Sequence, residues 1–286
     1  MTSPTRPTPT AASLEDLCRR FDVFFIDQFG VLHDGIRPYS GAIEALAALK
    51  RAGKKSVLLS NSGKRSAPNR DRLQALGFDR QSYDLFLSSG EVAWALLKDT
   101  LIGRIIPDHA KCLLLARDDD ISAIAGLNLV RTHSGEDAEL VVISGSRGDD
   151  TDLETYRKNL IGPASRNVPC LCTNPDKKML TAKGLRFGAG AIADLYMELG
   201  GKVTWIGKPH GEIYRAALAA IGEPDLARVC CLGDSVEHDI AGGAAAGLST
   251  VLVRTGIHAD ADNQMLSDLF AIHDARPNFV LGGFSV

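Results

Sequence analysis

The sequence predicts an α/β protein built on mostly parallel sheets. Short apolar runs of strand length alternate with helical segments along most of the 286 residues, and this alternation is typical of parallel strands joined by covering helices. Several runs also end in a polar or charged residue, as strands do at the functional edge of an open α/β sheet. The candidate strands are Val23–Ile26, Ser56–Ser60, Leu85–Ser88, Cys112–Ala116, Leu140–Ile143, Pro169–Cys172, Thr204–Ile206, Val229–Leu232 and Thr250–Val253.

Helical segments lie between these runs. The strands are too many for the simplest single doubly wound sheet of this length, so the sequence predicts two α/β units. Polar strand ends are frequent outside residues 92–203 and sparse inside them. We therefore expect a domain formed by residues 14–91 and 204–286, with 92–203 as an inserted domain. Residues 1–13, rich in Pro and Thr, are expected to be a disordered tail. The helical segments are Gly41–Arg51, Ala67–Leu76, Glu91–Lys98, Asp152–Leu160, Gly190–Leu199, Gly211–Ile221 and Asp239–Ala246.

The composition is that of a soluble globular protein and argues against several partners. Hydrophobic residues make up 45% and charged residues 23%, and a net charge of −3 offers no basic surface to nucleic acid or to an anionic membrane. No apolar stretch reaches the roughly 18 residues of a membrane span. The N-terminus lacks a secretory signal core, and the cysteines follow no zinc-site or disulfide pattern. We expect a cytoplasmic protein with no nucleic-acid and no membrane partner.

The segment from Phe24 to Val31 carries the most informative single signal. A fully apolar run ends in one carboxylate, Asp27, and Gly30 follows three residues later. Such a run is typical of a buried parallel strand, and a carboxylate at its end lies where open α/β sheets place their chemistry. Asp27 is either a catalytic carboxylate or a residue that caps the following turn.

Two other strand ends carry groups suited to an oxyanion. Ser60 and Asn61 open a Ser-Asn-Ser-Gly loop that offers a hydroxyl, an amide and backbone N–H groups to a phosphate. The alternative is a polar turn that caps the next helix. Lys208, fixed between Gly207 and Pro209, is placed either to neutralise an anionic nucleophile and its phosphate or to remain a solvated loop lysine.

The fourth strand end indicates an acidic metal pocket. Asp234 follows the apolar run that begins at Val229, and Asp239 comes five residues later. Hard cations such as Mg²⁺ prefer carboxylate and carbonyl oxygens; Asp234 is the stronger candidate, since Asp239 could instead be the N-terminal charge of the next helix. The four strand ends together form a site for phosphoryl transfer, in which Asp27 would form an aspartyl-phosphate while Lys208 and Mg²⁺ screen its charge.

In this order the four segments resemble the motifs of the haloacid dehalogenase (HAD) superfamily, specifically its class IIA, NagD-like sugar phosphatases. The resemblance covers about residues 20–286 and implies a Rossmann-like core with an inserted α/β cap of the C2 type between the second and third motifs. Relatives of this class often pair through their caps, so a homodimer is expected there. The matching residues are Asp27-Gln-Phe29-Gly30-Val31, Ser60-Asn61, Gly207-Lys208-Pro209 and Gly233-Asp234 through Asp239.

The same resemblance implies roles for individual residues. Mg²⁺ would be held by Asp27, the backbone carbonyl of Phe29 and Asp234, with Asp239 as a further ligand or a support for one. A phosphate would lie against Ser60, Asn61 and Lys208, and Asp27 and Lys208 would be the catalytic pair. The stretch Thr173-Asn174-Pro175-Asp176 is similar to the cap loop that helps choose the substrate, which makes Asn174 and Asp176 specificity candidates.

One position departs from the family pattern. Phosphatases of the family usually carry a second Asp two residues after the nucleophile, which protonates the leaving group and later activates water; here that residue is Phe29. Loss of a positioned acid–base group costs roughly 10²–10⁴-fold in rate. A leaving group that needs no acid, as in acyl or aryl phosphates, would make the missing Asp unnecessary. Otherwise His33 and Asp34 are the nearest candidates to take over the role, with a structural turn as their alternative, and Asp176 of the cap is a further candidate.

The sequence therefore predicts a Mg²⁺-dependent hydrolase of a small phosphorylated metabolite, sugar-phosphate-like, acting through Asp27. Phe29 leaves two alternatives open. One is a phosphate-ligand-binding or regulatory protein with weakened catalysis. The other is a HAD hydrolase of a different bond, in a phosphonate or a haloacid.

Overall fold

A computed structural model describes residues 9–286, and the strands of this part of the chain form three sheets. The strands are β1 (Thr10–Ala11), β2 (Val23–Asp27), β3 (Lys55–Ser60), β4 (Leu85–Ser88), β5 (Ala110–Leu115), β6 (Leu129–Thr132), β7 (Leu140–Ile143), β8 (Cys170–Cys172), β9 (Lys178–Thr181), β10 (Gly184–Phe187), β11 (Val203–Trp205), β12 (Val229–Gly233), β13 (Ser249–Val253) and β14 (Phe279–Leu281). The helices are α1 (Leu14–Arg20), α2 (Ala42–Arg51), α3 (Ser66–Ala75), α4 (Ser89–Leu96), α5 (Leu153–Ser165), α6 (Ala189–Glu198), α7 (Gly211–Ala220), α8 (Ala241–Ala245) and α9 (Asn263–Ile272).

The seven-stranded sheet has the order β1-β14-β13-β12-β2-β3-β4. Its pairings from β1 to β3 are parallel, and the register places Ile26 opposite Leu232 and Asp27 opposite Leu59. Because parallel strands end at one edge of their sheet, the chain segments that leave β2, β3 and β12 emerge side by side. This register brings the predicted site residues of the three strands to one place.

The central strand β2 is apolar along its length because it is buried on both faces. Phe24, Phe25 and Ile26 have no exposed surface. Phe24 and Ile26 pack into a core that includes Leu46 and Leu49 of α2. Burial of this kind fixes the strand that ends at Asp27.

The chain divides into two compact units. The first comprises the described residues up to Ser60 together with Arg70–Leu87 and Lys208–Val286, and the second comprises Asn61–Asn69 and Ser88–Gly207. The second unit contains the five-stranded parallel sheet β11-β8-β7-β5-β6 and the antiparallel pair β9–β10. The predicted insertion at 92–203 lies inside this unit.

The segment Asn61–Asn69, which we expected in the first unit, belongs to the second. It is held there by close backbone packing, since a Cβ on Gly63 would overlap the carbonyl of Ser144, and a Cβ on Gly90 would overlap that of Gly63. Glycines at these contacts let the segment approach the strand ends of the second unit.

Every predicted strand is present, and each predicted helix overlaps an observed one. The prediction of a disordered tail is wrong for residues 10–13 and lies outside the described residues for 1–8. Thr10 N donates to the carbonyl of Asn278 and Ala12 N to that of Val280, so backbone pairing orders β1. Ser13 then caps α1. Among the described residues, no helix is long and apolar enough to cross a membrane.

Candidate active site

Asp27, Lys208, Asp234 and Asp239 lie together at the carboxyl edge of the seven-stranded sheet. Asp27 is the last residue of β2, and Asp234 directly follows β12. The Nζ atom of Lys208 donates hydrogen bonds to Asp27 Oδ1 and to Asp239 Oδ1, each at 2.7 Å. The Lys208 and Asp239 side chains are only 3% and 1% exposed. The structure thus joins residues that the sequence placed on three separate strand ends.

Two glycines let the backbone close around Asp234. Gly30 and Gly256 both have positive φ, and a Cβ at either position would overlap the Asp234 carboxylate. The same carboxylate accepts a hydrogen bond from the backbone N–H of Ile257 at 2.8 Å (to Oδ2). The sequence analysis identified Gly30 as part of the nucleophile turn but missed Gly256 and Ile257, whose position beside Asp234 depends on the fold.

The cluster carries three carboxylates and one ammonium group, all largely buried. Burial raises the pKa of Asp27 well above its ordinary value, although Lys208 opposes the shift. Burial and then the charge of Asp239 raise the pKa of Asp234 to about 7. Burial alone would lower the pKa of Lys208, but Asp239 and Asp27 outweigh it and raise that pKa, so the ammonium stays charged. The excess negative charge is what a divalent cation would balance.

The residues present fit a hard divalent cation. Oxygen atoms of Asp27, Asp234 and Asp239 lie within 4.8 Å of one another, and carboxylate oxygens are the ligands such cations prefer. Asp239 already accepts two hydrogen bonds, from Lys208 at Oδ1 and from Ser235 N at Oδ2 (3.2 Å). This favours Asp27 and Asp234 as direct ligands and Asp239 as their support. The Phe29 carbonyl as a ligand stays a prediction.

Ser60, the last residue of β3, has a partner that the sequence analysis missed. Gln28 Nε2 donates a hydrogen bond to Ser60 Oγ at 2.5 Å. Because the amide occupies an acceptor position of the hydroxyl, the Ser60 proton can be donated to another acceptor. No sequence pattern signals a pair of side chains 32 residues apart; only the register of β2 against β3 brings them together.

The other phosphate and specificity candidates lie in the second unit, where three of them form a chain of contacts. Asn61 Nδ2 donates to Asp176 Oδ1 at 2.8 Å. Asp176 N in turn donates to Asn174 Oδ1 at 3.0 Å. A Cβ on Gly207 would lie 2.6 Å from Asn61 Oδ1, so that glycine keeps the amide close to the chain. The two predicted specificity residues and one predicted phosphate ligand are therefore neighbours.

Phe29 is exposed although it stands two residues after the buried Asp27. Its side chain is 45% exposed, whereas Gly30, Val31 and His33 are buried. The ring meets the His33 imidazole edge-on, with centroids 5.9 Å apart and planes at 90°. A Cβ on Gly35 would lie 2.9 Å from Phe29 Cε2, so the bare glycine backs the ring. The phenyl side chain is thus supported from two sides.

His33, predicted as a possible acid–base group, is only 3% exposed. Its Nδ1 accepts a hydrogen bond from the backbone N–H of Gly35 at 3.0 Å. Burial, with a smaller contribution from Arg72, lowers the pKa of His33 to about 4. A neutral imidazole with an occupied Nδ1 has no readily lost proton at neutral pH, and these contacts favour a supporting role. An acid–base role for His33 stays a prediction.

Two family models match this chain. One, described as haloacid dehalogenase-like hydrolase, matches residues 24–130, and the other, described as HAD-hydrolase-like, matches residues 205–283. Chronophin from Mus musculus is 30% identical over 254 residues, which cover 86% of this chain and 85% of chronophin. The chain belongs to the haloacid dehalogenase superfamily.

Within the superfamily its relatives are class IIA, NagD-like enzymes, and this chain is an enzyme of their phosphatase and hydrolase type. The 5'-nucleotidase YutF from Bacillus subtilis (strain 168) is 27% identical over 238 residues, covering 82% of this chain and 87% of YutF. The structure of a p-nitrophenyl phosphatase from Archaeoglobus fulgidus has a TM-score of 0.74 at 26% identity, covering 93% of this chain and 97% of that one. The predicted fold, a HAD core with a cap domain, is confirmed.

Proposed function

We propose that this member of the haloacid dehalogenase superfamily hydrolyses a small phosphorylated metabolite, with Asp27 as the nucleophile and Mg²⁺ as its metal. The buried contact between Lys208 Nζ and Asp27 Oδ1 carries the proposal. A carboxylate and a phosphate dianion repel each other, and an ammonium group fixed on that carboxylate reduces the repulsion without rearranging during the reaction. An Asp that merely capped a turn would not explain a buried lysine shared with a second carboxylate.

The reaction we propose has two displacements at phosphorus. In the first, an oxygen of Asp27 forms a bond to phosphorus, and the bond from phosphorus to the leaving oxygen breaks, with the electron pair departing on that oxygen. In the second, water attacks the aspartyl-phosphate, which releases inorganic phosphate and restores the carboxylate. Mg²⁺, held by Asp27 and Asp234, would supply positive charge to the phosphoryl oxygens.

The phosphoryl group is assigned to Lys208, Ser60 and Asn61. Lys208 would neutralise charge on the phosphoryl oxygens while it holds Asp27. Gln28 donates to the Ser60 oxygen and so orients the hydroxyl proton for donation to a phosphoryl oxygen. Asn61, with its amide directed by Asp176, would add a further donor.

The names of the relatives support the general substrate class and no single compound. A 5'-nucleotidase and a p-nitrophenyl phosphatase both act on phosphate esters, yet their leaving groups differ in size and polarity. We therefore assign the choice of metabolite to the cap, with Asn174 and Asp176 as the polar groups concerned.

The test is phosphate release from sugar, polyol, nucleotide, acyl and aryl phosphates, with Mg²⁺ and with EDTA. We expect turnover in Mg²⁺ and none in EDTA, and we expect Asp27→Asn to abolish it with an unchanged circular dichroism spectrum. Asp22→Asn is the matched control, since Asp22 lies beside the opposite end of the same strand and is exposed. Turnover that survives Asp27→Asn would rule out the covalent mechanism.

Phe29 favours a second candidate function, a phosphate-ligand-binding or regulatory protein that retains the pocket and has weakened catalysis. A folded protein that is stabilised by phosphate esters and Mg²⁺ against heat, yet releases no phosphate from any of them, would support it. Release of phosphate from a phosphonate, or of halide from a haloacid, would instead identify a hydrolase of another bond.

A further inference from the structure

We infer that Phe29 is a specificity-determining residue that restricts the enzyme to phosphate compounds with a planar leaving group of low basicity, namely aryl and acyl phosphates. This inference rests on the proposed function, because it concerns the group that leaves when Asp27 attacks. Three observations carry it: the position of Phe29 relative to Asp27, the support of its ring, and the nature of the side chains around the nucleophile.

Phe29 is close enough to meet a leaving group. Two residues of extended chain span at most about 7 Å, so the backbone of Phe29 lies within that distance of the backbone of Asp27. The Asp27 side chain is 11% exposed, whereas Phe29 is 45% exposed. A compound whose phosphoryl group reaches the buried carboxylate must extend outward, and the exposed Phe29 ring, two residues further along the chain, offers it an apolar surface.

The ring is held in one place by its surroundings. The turn after β2 returns so that His33 packs edge-on against the ring. Gly35 has a φ of +96°, and because it has no side chain its Cα can lie close to Cε2 of Phe29. Arg72 fixes that glycine by donating to its carbonyl oxygen at 2.9 Å. A positioned aromatic face favours a flat partner over a puckered one, because stacking needs parallel surfaces.

The groups in contact with the nucleophile are arranged to accept or share protons, not to donate one to a leaving group. Lys208 Nζ is engaged by Asp27 and Asp239. The carboxylate of Asp234 accepts from Ile257 N and that of Asp239 from Ser235 N. Phe29, the residue turned toward solvent, has no proton to give. Among the described residues of the first unit that contact Asp27, none is placed to donate a proton to a leaving group, so we infer that the leaving oxygen departs as an anion, which is fast only when that anion is weakly basic.

The leaving groups that satisfy both conditions are phenolates and carboxylates. A phenol ionises near pH 10 and a carboxylic acid near pH 4, whereas an unactivated hydroxyl, like water, ionises near 15.7. Phenolates and carboxylates are both planar groups, and a phenolate can stack on the Phe29 ring. Sugar and polyol phosphates satisfy neither condition, so this inference replaces the sugar-phosphate-like substrates expected from the sequence with aryl and acyl phosphates.

The experiment compares kcat/KM for aryl phosphates of graded leaving-group pKa, acetyl phosphate and glycerol 3-phosphate, all with Mg²⁺. For the unmodified protein we expect a steep fall with rising leaving-group pKa and at least a 10²-fold preference for the aryl compounds. Phe29→Asp should flatten the dependence and raise glycerol 3-phosphate turnover about 10²–10⁴-fold. Phe29→Leu, which removes the flat ring without adding an acid, should lower aryl turnover about tenfold and so reduce the ratio of aryl to glycerol 3-phosphate kcat/KM.

A glycine pair tests the support of the ring without altering Phe29. Gly35→Ala places a Cβ against the ring, whereas Gly222→Ala has a similar φ of +88° and nothing within 4 Å. Only Gly35→Ala should reduce the aryl preference; if it does not fold, Phe29→Leu supplies the same information. The inference would be overturned if the unmodified protein hydrolysed glycerol 3-phosphate as fast as aryl phosphates. It would also be overturned if kcat/KM of Phe29→Asp depended on the leaving-group pKa as steeply as that of the unmodified protein. In either case, turnover that requires Asp27 would still support the proposed function. No release from aryl or acyl phosphates, together with Asp27-dependent release from another phosphate ester, would overturn the inference alone. Activity that survives in Asp27→Asn, or no phosphate release from any compound tested, would overturn both.

Discussion

Replacing Lys208 with Met should expose how strongly the buried charges depend on one another. The side chain lies 2.7 Å from both Asp27 and Asp239, and the three side chains are 3%, 11% and 1% exposed. Methionine retains most of the volume, so the cavity contribution is small. Removal of one partner from a buried ion pair typically costs 3–5 kcal/mol because the remaining charge is left uncompensated. We expect a loss of about 3–5 kcal/mol in the free energy of unfolding in EDTA at pH 8.

Mg²⁺ should restore part of this loss, because it brings positive charge to the same carboxylates and stabilises the folded state by binding it. Lys54→Met is the matched control: Lys54 pairs with Asp22 at 2.9 Å, but Asp22 is 53% exposed, and such pairs contribute at most about 1 kcal/mol. Unfolding in urea should be followed by far-UV circular dichroism, since both tryptophans, Trp94 and Trp205, lie in the second unit. If Lys208→Met lost no more unfolding free energy than Lys54→Met, or if Mg²⁺ restored none of the loss, the buried carboxylates would not depend on the Lys208 charge.

Three further predictions concern the groups around this pair. Mg²⁺ must displace protons from its proposed ligands, because the pKa of Asp234 is raised to about 7 and that of Asp27 is also raised. Calorimetry should therefore show affinity rising with pH, by about tenfold or more per pH unit below 7; a flat profile would contradict the assignment. Gln28→Leu removes a hydrogen bond to Ser60 and should lower kcat/KM roughly tenfold, the equivalent of about 1.4 kcal/mol, whereas an unchanged value would mean that Ser60 needs no orientation. The Cβ of Gly30→Ala would overlap the Asp234 carboxylate, so this variant should bind Mg²⁺ more than tenfold more weakly, while Gly222→Ala should bind it unchanged. Equal Mg²⁺ affinity in the two variants would mean that Gly30 does not shape the metal site.

Much of the fold could be predicted because its central strands carry their own signal. Strands β2 and β12 are buried on both faces, so nearly every residue in them is apolar and the run is visible without an alignment. Strand β1 has two residues and exists through hydrogen bonds to the segment around β14. The pair β9–β10 is half exposed and carries little apolar alternation. Elements of the latter kind depend on their partners, and local patterns do not reveal them.

The site shows the same division between local and long-range information. Asp27 and Asp234 could be selected because each stands at the end of a strand of the same parallel sheet, where side chains converge. Lys208 follows β11 of the five-stranded sheet and Asp239 lies six residues beyond β12, so the sequence marked them as candidates but their contact depends on the tertiary fold. The support of Ser60 by Gln28 could not, since it depends on the register between two strands. The exposure of Phe29 could not be foreseen either; its residue type favours burial, and only the turn through His33 and Gly35 leaves the ring at the surface.

Detection of phosphate on Asp27 would establish the covalent mechanism. The protein with Mg²⁺ is mixed with acetyl phosphate or an aryl phosphate, quenched in acid, digested and analysed by mass spectrometry, with Asp27→Asn treated in parallel. We expect one phosphorylated carboxylate, on the peptide that contains Asp27; hydroxylamine should remove this phosphate, and the Asp27→Asn protein should lack it. Phosphate release at a normal rate with no trapped label, or a label on any other residue, would contradict the covalent mechanism at Asp27.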